Sequence, residues 1–185
     1  MFAFLPGPIR GALASLLFIL NTVCLCTLFY MIMLIKLIIP QPGWRQFHSR
    51  LLIRVANAWI DINNGIIDLT QRIEWDVQGL DGLRLDQWYI VGSNHQSWVD
   101  IVVLQRVFNH RIPFLKFFIK QQLIWAPLLG GVWWGLDFPF MKRHSAAHLA
   151  AHPEDRDRDW ETTRRVCARF HSFPTTILNF LEGTR

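Results

Sequence analysis

His95 and Asp100 stand five residues apart in the stretch "SNHQSWVD", residues 93–100. The stretch directly follows "QWYIVG", a short apolar run that reads as a buried strand. The histidine therefore falls at a strand's carboxyl end, where open α/β sheets gather functional groups. Asp100 falls in the first turn of the helix predicted next. A neutral imidazole is the side chain best matched to general-base work near neutral pH. A carboxylate on one ring nitrogen fixes the tautomer and stabilises the imidazolium that forms. No serine or cysteine sits in a nucleophile elbow. The simplest chemistry is direct: His95 deprotonates a substrate hydroxyl, which attacks an activated acyl group. The same residues also read as an ordinary helix start, with Ser97 as N-cap and Asp100 near the positive helix end. Asn94 and His95 would then be loop polars. On pattern alone both readings stand.

Two further stretches add cations just past predicted strands. "DFPFMKR" ends in Arg143 and "LEGTR" ends in Arg185. Arginine grips phosphate through a planar fork, and Gly183 lets the backbone approach closely. Taken in order, these blocks resemble one family. "NHQSWVD" is similar to the NHxxxxD motif of the glycerolipid acyltransferases of the lysophosphatidic acid acyltransferase type. "FMKR" resembles their second block, and "EGTR" their third. "IKQQLIWAPLLGG" resembles the segment between the first two blocks. The WVD variant, the polar insertion after Arg143 and the apolar N-terminus most resemble bacterial YihG-like members.

The resemblance implies a fold and a set of roles. The fold is an α/β layered domain, a mixed sheet flanked by helices, preceded by an N-terminal membrane helix. His95 would be the general base and Asp100 its orienter. Asn94, Arg143, Glu182, Gly183, Thr184 and Arg185 would bind the acceptor, with both arginines on its phosphate. Lys142 stands where many members have aspartate. The donor would be acyl-CoA or acyl-carrier protein, and the acceptor a lysophospholipid, by family default 1-acyl-glycerol-3-phosphate. The product would then be phosphatidic acid. No metal and no cofactor beyond the donor is implied. The alternative is a non-catalytic, membrane-anchored lipid-binding protein of the same fold.

The elements that must position these groups follow from periodicity. Gly11 to Ile35 carries no charge, and a spanning helix needs only about 20 apolar residues. Arg10 precedes the run, whereas Lys36, Arg45, Arg50 and Arg54 follow it. The positive-inside rule then places the rest on the cytoplasmic face of the inner membrane. Asn21, Thr22 and Thr27 leave open a helix that dips into one leaflet without crossing. "PQPG" ends the segment, and Trp44 to about Asn63 reads as a helix lying at the membrane surface or packed on the core. Strands are predicted at "RIEWDVQGL", "QWYIVGS", "IPFLKFFIK", "DFPFMKR" and "PTTILNFLEGTR". "WVDIVVLQRVF" reads as a helix. "QQLIWAPLLGGVWWGL" reads as a helical piece broken at Pro127 and at Gly130-Gly131, and a charged helix is predicted around Asp157 to Phe170. The organisation is a membrane anchor over 1–40, a connecting helix over 41–70 and an acyltransferase-like domain over 71–185.

Composition agrees with a membrane-associated chain. Hydrophobic residues make up 51% and charged residues 18%, with Lys plus Arg at 19 against 14 acidic. That excess suits phospholipid headgroups and phosphorylated substrates. Nucleic acid is excluded as a partner, since no basic stripe or nucleic-acid module occurs. Cys24, Cys26 and Cys167 make neither a disulfide framework nor a zinc site. His144, His148 and His152 repeat at helical spacing and read as a solvated face, with Pro153 fraying the helix.

The family continues past EGTR, whereas this sequence stops at Arg185. "TTILNF" is then expected as an exposed final strand, an aggregation hazard. The 185-residue chain is expected to turn over weakly or not at all by itself. Acylation by the purified chain at the rate of a C-terminally extended one would overturn that expectation.

Overall fold

The structure is a computed structural model that describes residues 2, 4–141, 161, 164, 167, 168, 170 and 173–181. They group into two compact units. One comprises Met1–Leu83 and Trp98–Arg111, the other Arg84–Ser97 and Ile112–Arg185.

The first unit is helical. α1 spans Gly7–Ile38 and opens with a proline in its first turn, where the missing N–H costs nothing. It is long and apolar enough to cross a membrane. α2 spans Pro42–Thr70 and also opens on proline. The two pack as a hairpin joined through Ile39–Gln41. α1 buries Ala14, Asn21, Cys26, Phe29 and Ile32. Its remaining surface exposes Leu16, Ile19, Leu20, Val23, Leu28, Met31 and Leu34. A soluble monomer rarely exposes so continuous an apolar face.

α2 runs past the expected end near Asn63 because its buried stripe does not stop there. Leu52, Val55, Ile60, Asn63, Ile66, Ile67 and Thr70 keep helical spacing, and Gly65 falls on the exposed side. The hairpin also carries a polar seam. Asn21 Nδ2 donates to Asn63 Oδ1 at 2.8 Å and to the Trp59 carbonyl at 3.1 Å. Trp59 Nε1 donates to Thr22 Oγ1 at 3.1 Å. Burying these groups without such bonds would cost several kcal/mol, about 2–7 by transfer data.

α3, Val99–Phe108, is clamped to α2 by three polar side chains. Arg106 pairs with Asp68 at 2.8 Å and donates to the Asn64 carbonyl at 3.3 Å. Its guanidinium lies 4.5 Å from the Trp75 ring centroid. Asn109 Nδ2 donates to Asp61 at 2.7 Å, and His110 Nε2 meets the same carboxylate at 2.9 Å.

The strand expected at "RIEWDVQGL" is absent. Residues 71–80 take no regular structure, and no described strand pairs with them. Alternation needs a ladder partner and a surface to cover. Here Ile73 and Val77 stay exposed, while Trp75 serves Arg106.

The second unit holds the sheets. β1 is Tyr89–Ser93, β2 Leu115–Phe117, β3 Ile119–Lys120, β4 Phe140–Met141 and β5 Thr176–Phe180. β5 lies between β1 and β2 in one sheet, and β3 pairs with β4 in another. Among the described residues every ladder is parallel. The final strand is thus no exposed edge, as the sequence had suggested. It is paired on both sides, and Thr176 and Leu178 are fully buried. The single strand expected over "IPFLKFFIK" splits at Phe118 into β2 and β3, which join different sheets.

Around the sheet, Phe138 packs edge-on against Phe117 with centroids 5.0 Å apart. Lys116 is only 1% exposed, its ammonium 4.9 Å from the Phe170 ring and 5.3 Å from that of Phe173. Trp88 Nε1 donates to the Phe170 carbonyl at 2.8 Å, which ties the start of β1 to the segment before β5. A 3-10 turn, Gln121–Trp125, precedes α4, Leu129–Gly135. Pro127 separates them as expected, but Gly130 and Gly131 lie inside α4 rather than breaking it. Gly130 is there for space: a Cβ would overlap the Ile124 carbonyl. Trp125 and Trp134 are exposed, and Trp133 is half-buried. Of the charged helix expected at 157–170, Glu161, Arg164, Cys167 and Ala168 are described and helical.

Gly130→Ala is expected to destabilise the protein by about 1–3 kcal/mol through overpacking. An unchanged unfolding midpoint in detergent would show that the turn accommodates a methyl group. Arg106→Ala is expected to lose roughly 1–2 kcal/mol, combining a half-exposed ion pair with lost packing on Trp75. A double-mutant cycle with Asp68→Asn measures the ionic share.

Candidate active site

β1 delivers His95. The strand begins at a locked turn, where Arg84 N–H donates to the Tyr89 hydroxyl at 2.8 Å and that hydroxyl donates to Gln87 Oε1 at 3.2 Å. Beside it, a side-chain hydrogen bond from Arg84 holds the exposed Asp86 carboxyl below the usual carboxylate range. The β1–β5 ladder then runs Tyr89 opposite Thr176 through Ser93 opposite Phe180. Leu181 N–H donates to the Ser93 carbonyl at 3.1 Å and carries the ladder beyond the strand end. The Leu181 side chain lies against Gly92. Past Ser93 the chain leaves the sheet as a loop, and Ser93 Oγ donates to the Asn94 carbonyl at 2.9 Å.

His95 sits in that loop, half-buried. Its ring stacks on Phe180 with centroids 4.1 Å apart and planes 24° from parallel. The predicted placement at a strand's carboxyl end is therefore met. Asn94 is exposed beside it. Asp100 lies in the first turn of α3, as predicted, and is half-buried. The cap position does not fall at Ser97 as expected. The cap position is Trp98, whose backbone is already helical at φ −60 and ψ −24 and whose side chain makes no cap bond.

Arg143, Glu182, Gly183, Thr184 and Arg185 lie outside the described residues, as do Lys142, His144, His148 and His152. Among the described residues no group of three or more His, Cys, Asp or Glu side chains converges. Burial pushes the Cys167 thiol up, away from thiolate reactivity.

Sequence reasoning missed Phe180. It lies two residues before Glu182, and its importance comes from pairing with a strand at the other end of the domain. No local pattern reports that partnership.

A family model described as Acyltransferase matches residues 74–185, more than half of the chain. The chain belongs to the acyltransferase family. The matched region takes in both His95 and Asp100 as well as the "EGTR" block. No curated protein matches in a sequence comparison. Among solved structures this chain is similar to the 1-acyl-sn-glycerophosphate (LPA) acyltransferase PlsC from Thermotoga maritima. The likeness has a TM-score of 0.63 at 19% identity, over 97% of this chain and 64% of that one. At that identity the likeness establishes the fold, an α/β acyltransferase fold with parallel sheets and an N-terminal apolar helix. This chain spans about two thirds of the length of the Thermotoga protein, 64%.

Proposed function

We propose that the protein is a membrane-bound O-acyltransferase that moves a fatty acyl group from a thioester to the free hydroxyl of a lysophospholipid. The single observation carrying this is His95 at the carboxyl end of β1, within an NHxxxxD motif inside the acyltransferase match. The fold likeness to a lysophosphatidic acid acyltransferase supports 1-acyl-glycerol-3-phosphate as acceptor and phosphatidic acid as product.

In this reading His95 takes the proton of the acceptor hydroxyl as its oxygen attacks the thioester carbonyl. The tetrahedral intermediate collapses with loss of the thiolate of CoA or acyl-carrier protein. The imidazolium returns its proton to that thiolate. Asp100 orients the imidazole and stabilises its charged form. Arg143 and Arg185 bind the acceptor phosphate, with Asn94, Glu182, Gly183 and Thr184 shaping the acceptor site. No metal takes part. The domain from 71 onward carries the chemistry, residues 1–40 anchor it and 41–70 connect the two. The basic residues after α1 support a location of the chemistry on the cytoplasmic face of the inner membrane. The apolar surface of α1 supports membrane attachment.

In membranes carrying the protein, His95→Ala is expected to lower thioester-dependent acylation of lysophosphatidic acid about 100- to 10,000-fold, the usual range for a general base. Undiminished transfer by His95→Ala would sink the mechanism. Absence of transfer by the unsubstituted protein across a panel of lysolipids would favour a non-catalytic lipid-binding protein.

A further inference from the structure

We propose that Phe180 is a positioning residue for His95, a flat plate that fixes the plane of the imidazole. The inference rests on reading His95 as the general base, and it assigns a role to a residue outside the recognised motifs. Its basis is the stack itself, with centroids 4.1 Å apart and an interplanar angle of 24°.

The sheet explains why the two rings meet. In a parallel ladder, paired residues send their side chains to the same face, and alternate residues share that face. Ser93 pairs with Phe180, so Phe180 stands at the level where the chain leaves β1, two residues before His95. The Leu181 N–H to Ser93 carbonyl bond at 3.1 Å prevents the strand ends from splaying at that level. Phe180 is therefore held by backbone pairing on one side of the imidazole.

A face-on contact has a particular mechanical effect. It engages the π surface and leaves the ring edge, where both nitrogens lie, available for hydrogen bonding. Rotation about the Cβ–Cγ bond would sweep the imidazole edge into the phenyl ring. The stack thus selects one ring plane and narrows Nδ1 and Nε2 to two orientations related by a ring flip, between which hydrogen bonding at the ring edge decides. A general base must lie within about 2.6–3.2 Å of the proton it removes. A displacement of about 1 Å costs on the order of 100-fold in rate. Leucine at 180 would fill similar volume but presents no flat surface, so it keeps the packing and loses the plane.

Phe180→Leu is expected to lower kcat by about 10- to 100-fold while KM for donor and acceptor stays within about twofold. Phe180→Tyr is expected to restore kcat to within a few-fold, since the plate returns. The independent readout is the proton spectrum of ¹³C-labelled histidine in detergent-solubilised protein. The His95 ring protons, assigned from their loss in His95→Ala, should be displaced upfield by the phenyl ring current. That displacement should vanish in Phe180→Leu and persist in Phe180→Tyr. If Phe180→Leu does not fold, Phe180→Met serves the same purpose.

Loss of the ring-current shift with kcat unchanged would overturn the positioning role. So would a rise in KM at constant kcat, which would make Phe180 a substrate contact. A His95 spectrum unchanged by Phe180→Leu would refute the stack. Failure of the general-base reading is separately visible: His95→Ala would then remain active whatever Phe180 does.

Discussion

The β1–β5 ladder is the constraint on which the sheet and the site both depend. Parallel strands cannot be joined by a tight turn, so each pairing requires the chain to leave the sheet and return. β5 returns from the far end of the sequence and inserts between β1 and β2. Its Thr176 and Leu178 are among the most buried residues of the sheet. The same register fixes what stands at the strand ends. Ser93 faces Phe180, Leu181 bonds back to Ser93, and the loop that bears His95 starts from that fixed point. A slip by one residue would send Phe180 to the opposite face and leave the imidazole without its neighbour.

The helical unit is organised by a different economy. α1 offers an almost uniformly apolar surface, so packing alone would specify its contact with α2 only weakly. Direction comes from the few polar groups, Asn21 and Thr22 on one helix and Trp59 and Asn63 on the other. At the opposite edge of α2, Asp61, Asn64 and Asp68 hold α3 through Arg106, Asn109 and His110. α2 therefore turns an apolar stripe to α1 and a polar row to α3, and Asp100 rides on the helix so held.

What was legible in the sequence had local causes. The uncharged run of α1, the apolar run of β1 and the periodic "VDIVVLQRVF" of α3 each declare their own structure. The elements that were misread depend on partners. Ile73, Trp75 and Val77 alternate as a strand should, yet no described strand lies beside them and Arg106 takes the tryptophan face. "IPFLKFFIK" is apolar apart from Lys116 and Lys120 and reads as one strand, but its two halves pair with strands in different sheets. Gly130 reads as a helix breaker, although its lack of a side chain serves the close approach of Ile124. Ser97 has the right chemistry for a cap and the wrong position by one residue. His95 was legible because its motif is contiguous. Phe180 was not, because its meaning lies in a register set across most of the domain.

The polar seam of the hairpin has a consequence for the axial register of α1 on α2. Two smooth apolar helices can slide past one another, whereas a buried polar pair specifies register. A shift by one helical turn, about 5.4 Å, would here pull Asn21 off Asn63 and Trp59 off Thr22. Each would then lie in the helix contact without its partner. The hairpin is consequently keyed, like a bolt seated in its notch, and has one axial setting rather than a continuum.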